Sequence, residues 1–82
     1  MKTFQINYKG HQVRVENGLL GERLIVDGET QDEQRGCAMR SRLWGRIRNG
    51  DGANEAIKVS LGGWLGTHCC IFIDDKLVHG DN

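Results

Sequence analysis

The sequence predicts an all-β fold, a small antiparallel β-sandwich or partly closed barrel of about seven short strands. Apolar and polar residues alternate in several short runs, and no window keeps apolar residues at helical spacing. The chain has 12 glycines and no proline, and clusters of turn-forming residues separate the alternating runs. Its 82 residues leave room for one core. We therefore expect a single domain over residues 1–82.

The first half of the chain contains three alternating runs, each followed by a turn. Lys9-Gly10, residues 17–21 and Asp27-Gly28 supply the glycines that hairpin turns require. Residues 29–36 are polar and are expected to be irregular. The apolar positions of the three runs are Phe4, Ile6 and Tyr8, then Val13 and Val15, then Leu24 and Val26.

The second half begins with the longest predicted strand, over residues 37–48. Residues 49–54 form a loop rich in glycine and asparagine, and Val59 and Leu61 alternate in the next strand. After a turn at residues 62–66, residues 67–73 are predicted to be extended. Asp74-Asp75 then turns the chain into a last strand at residues 76–78.

The two halves repeat one hairpin unit. Residues 13–21 followed by 24–28 match residues 59–66 followed by 71–75, with an offset of 46 residues at the first strand and 47 at the aspartate turn. Two such units pack face to face and share a core. The predicted inward residues are Val13, Val15, Leu24, Val26, Leu43, Ile47, Val59, Leu61, Cys69, Ile71 and Ile73.

Four apolar residues fall in the turns between the paired strands. They are predicted either to plug the open end of the sandwich or to form an exposed apolar tip that contacts a partner. These residues are Leu19, Leu20, Trp64 and Leu65.

Several short motifs recur at characteristic spacing along the chain: His11-x-Val13-x-Val15-x-x-Gly18, Gly21-x-Arg23, Val26-Asp27-Gly28, Leu43-x-Gly45 and Ile57-x-Val59. Together they resemble the N-terminal β-domain of the Fas apoptotic inhibitory molecule family. The resemblance extends from about His11 to Val78 and implies a compact β-sandwich without enzymatic activity that works through protein contacts. The row of arginines described next has no counterpart in that pattern.

Basic and acidic residues are segregated along this neutral chain. Eleven basic residues balance eleven acidic ones, but residues 35–48 hold five arginines and no acid, whereas residues 27–33 hold four acids and no base. Alternation places a row of side chains on one face of the longest strand, over roughly 26 Å. This row consists of Arg40, Arg42, Trp44, Arg46 and Arg48.

Guanidinium groups bind carboxylates and phosphates in a bidentate manner, and a tryptophan offers a surface for stacking. The row therefore predicts a non-enzymatic interaction module that binds a protein partner or a second copy of itself. The alternative is a small domain that binds single-stranded nucleic acid on the same face. A third interpretation is that acids on neighbouring strands and loops neutralise the row. The candidate acids are Glu16, Glu22, Glu29, Asp32, Glu33 and Glu55.

Metal, cofactor and catalytic sites are not predicted. Cys69 and Cys70 are adjacent, which does not fit the spaced pairs of a structural zinc site, and with Cys37 they give an odd count that favours a reducing cytoplasm. No spacing links a nucleophile to a base. His11 and His79 are expected at the surface. No apolar run approaches the roughly 20 residues of a membrane span.

Overall fold

The computed structural model describes residues 2–36, 40–62 and 68–81 and places eight strands in them. This part of the chain contains no helix. The strands are β1 Lys2–Tyr8, β2 His11–Gly18, β3 Gly21–Val26, β4 Glu29–Arg35, β5 Arg40–Arg46, β6 Ala56–Gly62, β7 His68–Ile73 and β8 Lys76–Asp81.

The strands form two antiparallel sheets that pack together. The first sheet has the order β1-β2-β3-β4 and the second has the order β5-β6-β7-β8, so within each sheet the strands pair in the order of the chain, and β4 and β5 belong to different sheets. The prediction of an all-β sandwich is confirmed. The predicted count of about seven strands is corrected to eight within the described residues, because the polar segment expected to be irregular is β4.

The core lies between the sheets and contains every residue predicted to point inward. All eleven are at most 3% exposed. Phe4 and Ile57 join them. Because the alternate apolar residues are the buried ones, the hydrophobic pattern of the sequence determines which face of each strand points to the core.

The internal repeat extends over all four strands of each sheet. Val26 pairs with Val13 and Ile73 pairs with Ile57, so Ile57 is the structural equivalent of Val13. The alignment of the two halves by sequence matches Val13 with Val59 instead, which is two residues further along. Because side chains two residues apart point to the same face of a strand, the alignment still predicts the inward residues correctly although its register is shifted by two. Each sheet also carries a bulge in its last hairpin. The bulge lies between Leu24 and Ile25 in the first sheet and between Ile71 and Phe72, 47 residues later, in the second.

The longest predicted strand is shorter in the structure. β5 spans Arg40–Arg46, and the predicted residues 37–39 lie outside the described residues. Ile47 and Arg48 follow the end of the strand, with Ile47 still buried. The last strand is longer than predicted and reaches Asp81.

Side chains of β4 bind the backbone edge of β5 and close one side of the sandwich. The Gln31 amide accepts a hydrogen bond from Arg46 N at 2.7 Å and donates one to Arg46 O at 2.9 Å. Asp32 Oδ2 accepts a hydrogen bond from Trp44 N at 2.8 Å. These bonds replace the partners that a neighbouring strand would supply.

Gly45 lets the Gln31 side chain approach the backbone of β5. A Cβ atom at this position would lie 2.5 Å from Gln31 Oε1 and 2.9 Å from Leu24 Cδ2. Any larger residue therefore displaces the amide that binds Arg46.

We expect Gln31→Ala to lower the free energy of unfolding by about 1 kcal/mol, because it removes two hydrogen bonds to the edge of β5. Chemical denaturation measures the change. Gln5→Ala, at an exposed position of β1, is the control and should be neutral. Gly45→Ala should cost less in a Gln31→Ala background than in the wild type, because the clash with Gln31 is gone and only the one with Leu24 remains. Full additivity would contradict the assigned contact.

Candidate functional site

The predicted row of arginines lies on the outer face of the second sheet. Arg40, Arg42, Trp44 and Arg46 alternate with the buried Ser41 and Leu43 and are all exposed. Trp44 is 55% exposed, which is high for so large an apolar side chain. Arg48 is also exposed but lies past the end of the strand.

Among the described residues, an acid lies beside one arginine of the row, Arg48. Arg48 Nε lies 3.4 Å from Glu29 Oε1, and both side chains of this pair are more than 60% exposed, so the pair contributes little. In the described part of the chain, Arg40, Arg42 and Arg46 form no ion pair.

The other candidate acids do not pair with the row. Asp32 binds the backbone of Trp44, as described above, and Glu22 is buried. The remaining acid contacts are those of Glu16 with Arg14, Glu33 with Arg23 and Arg35, and Glu55 with Tyr8 and Lys9.

Further residues extend the candidate face across the sheet. Lys58 lies opposite Trp44, Phe72 lies opposite Lys58, and Leu77 lies opposite Phe72. The Lys58 ammonium is 5.0 Å from the centre of the Phe72 ring. This row across all four strands was missed by sequence reasoning, because periodicity within one strand does not reveal which strands lie beside it.

We call the outer face of β5, β6 and β7 the basic face. Its charged members are Arg40, Arg42, Arg46 and Lys58, and no acid is among its described residues. The outer face of the first sheet differs, because its arginines are paired with acids. Arg14 Nη2 lies 3.1 Å from Glu16 Oε2, and Arg23 Nε lies 3.5 Å from Glu33 Oε2.

The apolar residues of the β2–β3 turn are fully accessible. Leu19 is 84% exposed and Leu20 is 88% exposed, so these two do not plug the core. They line a cleft of about 500 Å³ together with Glu16, Glu22 and Arg23. Trp64 and Leu65, the other predicted tip residues, lie outside the described residues.

Cys69 and Cys70 lie on opposite faces of β7, as adjacent strand residues must. Cys69 is in the core, Cys70 is half-buried on the basic face, and neither forms a disulfide. Among residues 2–36, 40–62 and 68–81, no group of three or more histidines, cysteines and acids is arranged to hold a metal ion. No helix in these ranges is long and apolar enough to cross a membrane.

His11, expected at the surface, is buried at one end of the sandwich and links three segments. Its Nδ1 donates to Asp27 Oδ2 at 2.6 Å, and its Nε2 donates to the Asp51 carbonyl at 2.8 Å. The bond to Asp27 raises the pKa of His11 above 6.5, and the Asp51 carbonyl raises it further. The same pair lowers the pKa of Asp27.

A second polar contact secures the β5–β6 loop at the same end. Glu55 accepts hydrogen bonds from the Tyr8 hydroxyl at 2.7 Å and from Lys9 Nζ at 3.0 Å. These bonds lower the pKa of Glu55, and the bond to Glu55 raises the pKa of Tyr8.

Because His11 uses both ring nitrogens within the protein, neither is available as a catalytic base. The cluster holds the two sheets together.

We expect the free energy of unfolding to decrease as the pH rises above neutrality. The folded pKa of His11 is raised, so its stabilising bond is fully present below pH 6.5 and is lost as the pH rises through the folded value. Denaturation at pH 6 and at pH 8.5 measures this loss, which should shrink in His11→Gln. The control His68→Gln changes an exposed histidine. An unchanged loss in His11→Gln would disprove the assignment.

Comparisons with protein-family models, with curated proteins and with solved structures give no match. The resemblance to the Fas apoptotic inhibitory molecule family therefore stays a prediction. The candidate site rests on the geometry of the basic face.

Proposed function

We propose that this domain is a non-enzymatic binding module that holds single-stranded nucleic acid on the basic face. The observation that carries the proposal is the exposure of Trp44 among three arginines that have no acidic partner in the described residues. Arginine binds phosphate oxygens in a bidentate manner, and an exposed aromatic ring stacks with a base of any sequence.

The arrangement of the face supports an extended strand as the ligand. Trp44 and Phe72 are separated by one strand, which places their Cα atoms roughly 10 Å apart. The Lys58 ammonium, from the strand between them, lies over the Phe72 ring. Arg42 and Arg46 lie on either side of Trp44 along β5. A base can therefore stack on Trp44 while phosphates bind the arginines on either side of it.

Self-association through the basic face is less favourable. A two-fold dimer would bring the arginine row of one copy against the row of the other, with no acids between them. Addition of a strand to β5 would also have to displace Gln31 and Asp32 from its backbone edge.

Binding is tested by fluorescence anisotropy with a labelled oligothymidylate at about 50 and 200 mM salt. About four phosphate contacts should give a slope of roughly −3 when log affinity is plotted against log salt concentration. Arg42→Gln should weaken binding and reduce the slope by about 0.7. Trp44→Ala should weaken it by about ten- to hundred-fold through loss of stacking.

Arg23→Gln is the matched control, because Arg23 is an exposed arginine on the outer face of the first sheet. It should leave both affinity and slope unchanged. Absence of binding at about 50 mM salt would refute the proposal, since phosphate contacts are strongest there.

A protein partner, including a second copy of the chain, is the second candidate function. It is favoured by Leu19 and Leu20, which are adjacent, apolar and almost fully exposed. The basic face would in this case bind an acidic segment of the partner. We also propose a cytoplasmic location, where the thiols stay reduced, and a function that requires no cofactor.

Sedimentation velocity at high concentration tests self-association. A dimer held by the β2–β3 turn is converted to monomer by Leu19→Ser with Leu20→Ser and is left intact by Arg42→Glu. Loss of the dimer in Arg42→Glu alone would assign the interface to the basic face. A monomeric wild-type protein would exclude self-association.

A further inference from the structure

The first strand, β1, is an open edge of its sheet. It pairs with β2 on one side, and within residues 2–36, 40–62 and 68–81 no segment pairs with its other side. The opposite edge of the same sheet, β4, lies next to β5 and binds it through side chains. Proteins usually protect an open edge with proline, charge, a bulge or a short strand, because its free backbone groups otherwise pair with another chain.

β1 carries none of these protections. It is seven residues long, its register with β2 is regular from Lys2 to Tyr8, and it contains no proline. Its charged residue is Lys2, at its first position. The edge strand of the second sheet, β8, differs, because it begins at Lys76 and a bulge interrupts its pairing with β7. β1 is therefore the edge that is suited to strand addition.

The backbone of β2 determines which groups of β1 are free. The Gln12 carbonyl accepts a hydrogen bond from Asp27 N at 2.9 Å, so the backbone of Gln12 faces β3. Backbone groups of successive residues point to opposite sides of a strand, so His11 faces β1 and its pair there, Tyr8. Alternation along β1 then directs its even-numbered residues to β2. The residues whose N–H and C=O groups point to the open edge are Thr3, Gln5 and Asn7.

The side chains of β1 also suit a neighbouring strand. Phe4 is buried, whereas Ile6 and Tyr8, which point to the same side, are only half-buried. A strand beside β1 would cover the accessible parts of these two side chains. The residues of the outer face are exposed, polar and uncharged, and they are Thr3, Gln5 and Asn7.

We propose that the open edge of β1 binds β1 of a second copy of the chain, antiparallel and about a two-fold axis at Gln5. This register pairs all seven residues of the strand. Thr3 of one copy lies opposite Asn7 of the other, and Gln5 lies opposite its own equivalent. Each of these three pairs exchanges two backbone hydrogen bonds, which gives about six in total.

The side chains are complementary in the same register. Phe4 of one copy lies opposite Ile6 of the other, so apolar groups meet on the inner face. Lys2 lies opposite Tyr8, whose ring can bind the ammonium by a cation–π contact. No charge of β1 faces a like charge. The two four-stranded sheets thus join into one sheet of eight strands.

The proposed dimer leaves the basic face free, because that face belongs to the other sheet. The interface is also a different surface from the β2–β3 turn. Nucleic acid binding and pairing through β1 can therefore be tested separately, and either can fail without the other.

Sedimentation velocity at high concentration tests the pairing. The wild-type chain should be a dimer. Gln5→Pro should be a monomer, because proline removes an N–H that the pairing uses, and it should stay folded, because that N–H has no partner within one copy. Gln5→Ala keeps the N–H and should remain a dimer. Leu19→Ser with Leu20→Ser should also remain a dimer, because it changes only the turn.

A second variant tests the register by charge. Gln5→Glu places two carboxylates opposite each other at the two-fold axis, which should weaken the dimer by about fivefold, and more at low salt. Within one copy the new carboxylate lies opposite Arg14 of β2, so the fold should be kept. A dilution series measures the dissociation constant, and Gln5→Ala is again the control. This variant decides the matter if Gln5→Pro does not fold.

A monomeric wild-type protein at high concentration would overturn the inference. So would association of folded Gln5→Pro, or of Gln5→Glu, that equals that of the wild type. Loss of the dimer in Leu19→Ser with Leu20→Ser would assign the interface to the turn and would also overturn it. Oligothymidylate affinity reports on the proposed function alone: binding by a monomer would support that function, and a dimer without binding would support only the pairing through β1.

Discussion

Hydrogen bonds from the side chains of β4 to the backbone edge of β5 determine how the two halves of the chain meet. The amide of Gln31 and the carboxylate of Asp32 bind backbone groups of β5 that a further strand would otherwise bind. They thereby close this side of the sandwich. These bonds occupy edge groups of β5 in the plane of its sheet, while the pleat of the strand directs alternate side chains perpendicular to that plane. Arg42, Trp44 and Arg46 therefore face solvent on a fixed edge strand.

The two outer faces use the same residue type in different ways. On the first sheet, arginines are paired with glutamates at distances of 3.1 and 3.5 Å, so the face neutralises itself. On the basic face of the second sheet, the four cations form no ion pair with an acid of the described region. A net charge of zero is therefore the sum of one balanced face, acidic turns and one basic face. Local charge, and not the total, determines which ligand the domain attracts.

Alternation and turn chemistry predicted the core, most turns and the exposed row on β5, because these depend on neighbouring residues. They failed where a structure depends on contacts across the fold. The strand β4 shows no apolar alternation, because Gln31 and Asp32 use polar side chains to bind the backbone edge of β5 in the other sheet. Lys58 and Phe72 join Trp44 only through the strand register. The burial of His11 depends on a carbonyl 40 residues away.

Within each sheet the strands pair in chain order, and this topology has a consequence for folding kinetics. All backbone ladders close through hairpins, and the longest connection within a sheet is the β5–β6 loop. Sandwiches with crossed connections must close long loops before their strands can pair, which slows them. Here each half can assemble its own ladder first, and only the docking of the two sheets requires distant contacts. We therefore expect this domain to fold faster than other sandwiches of its size.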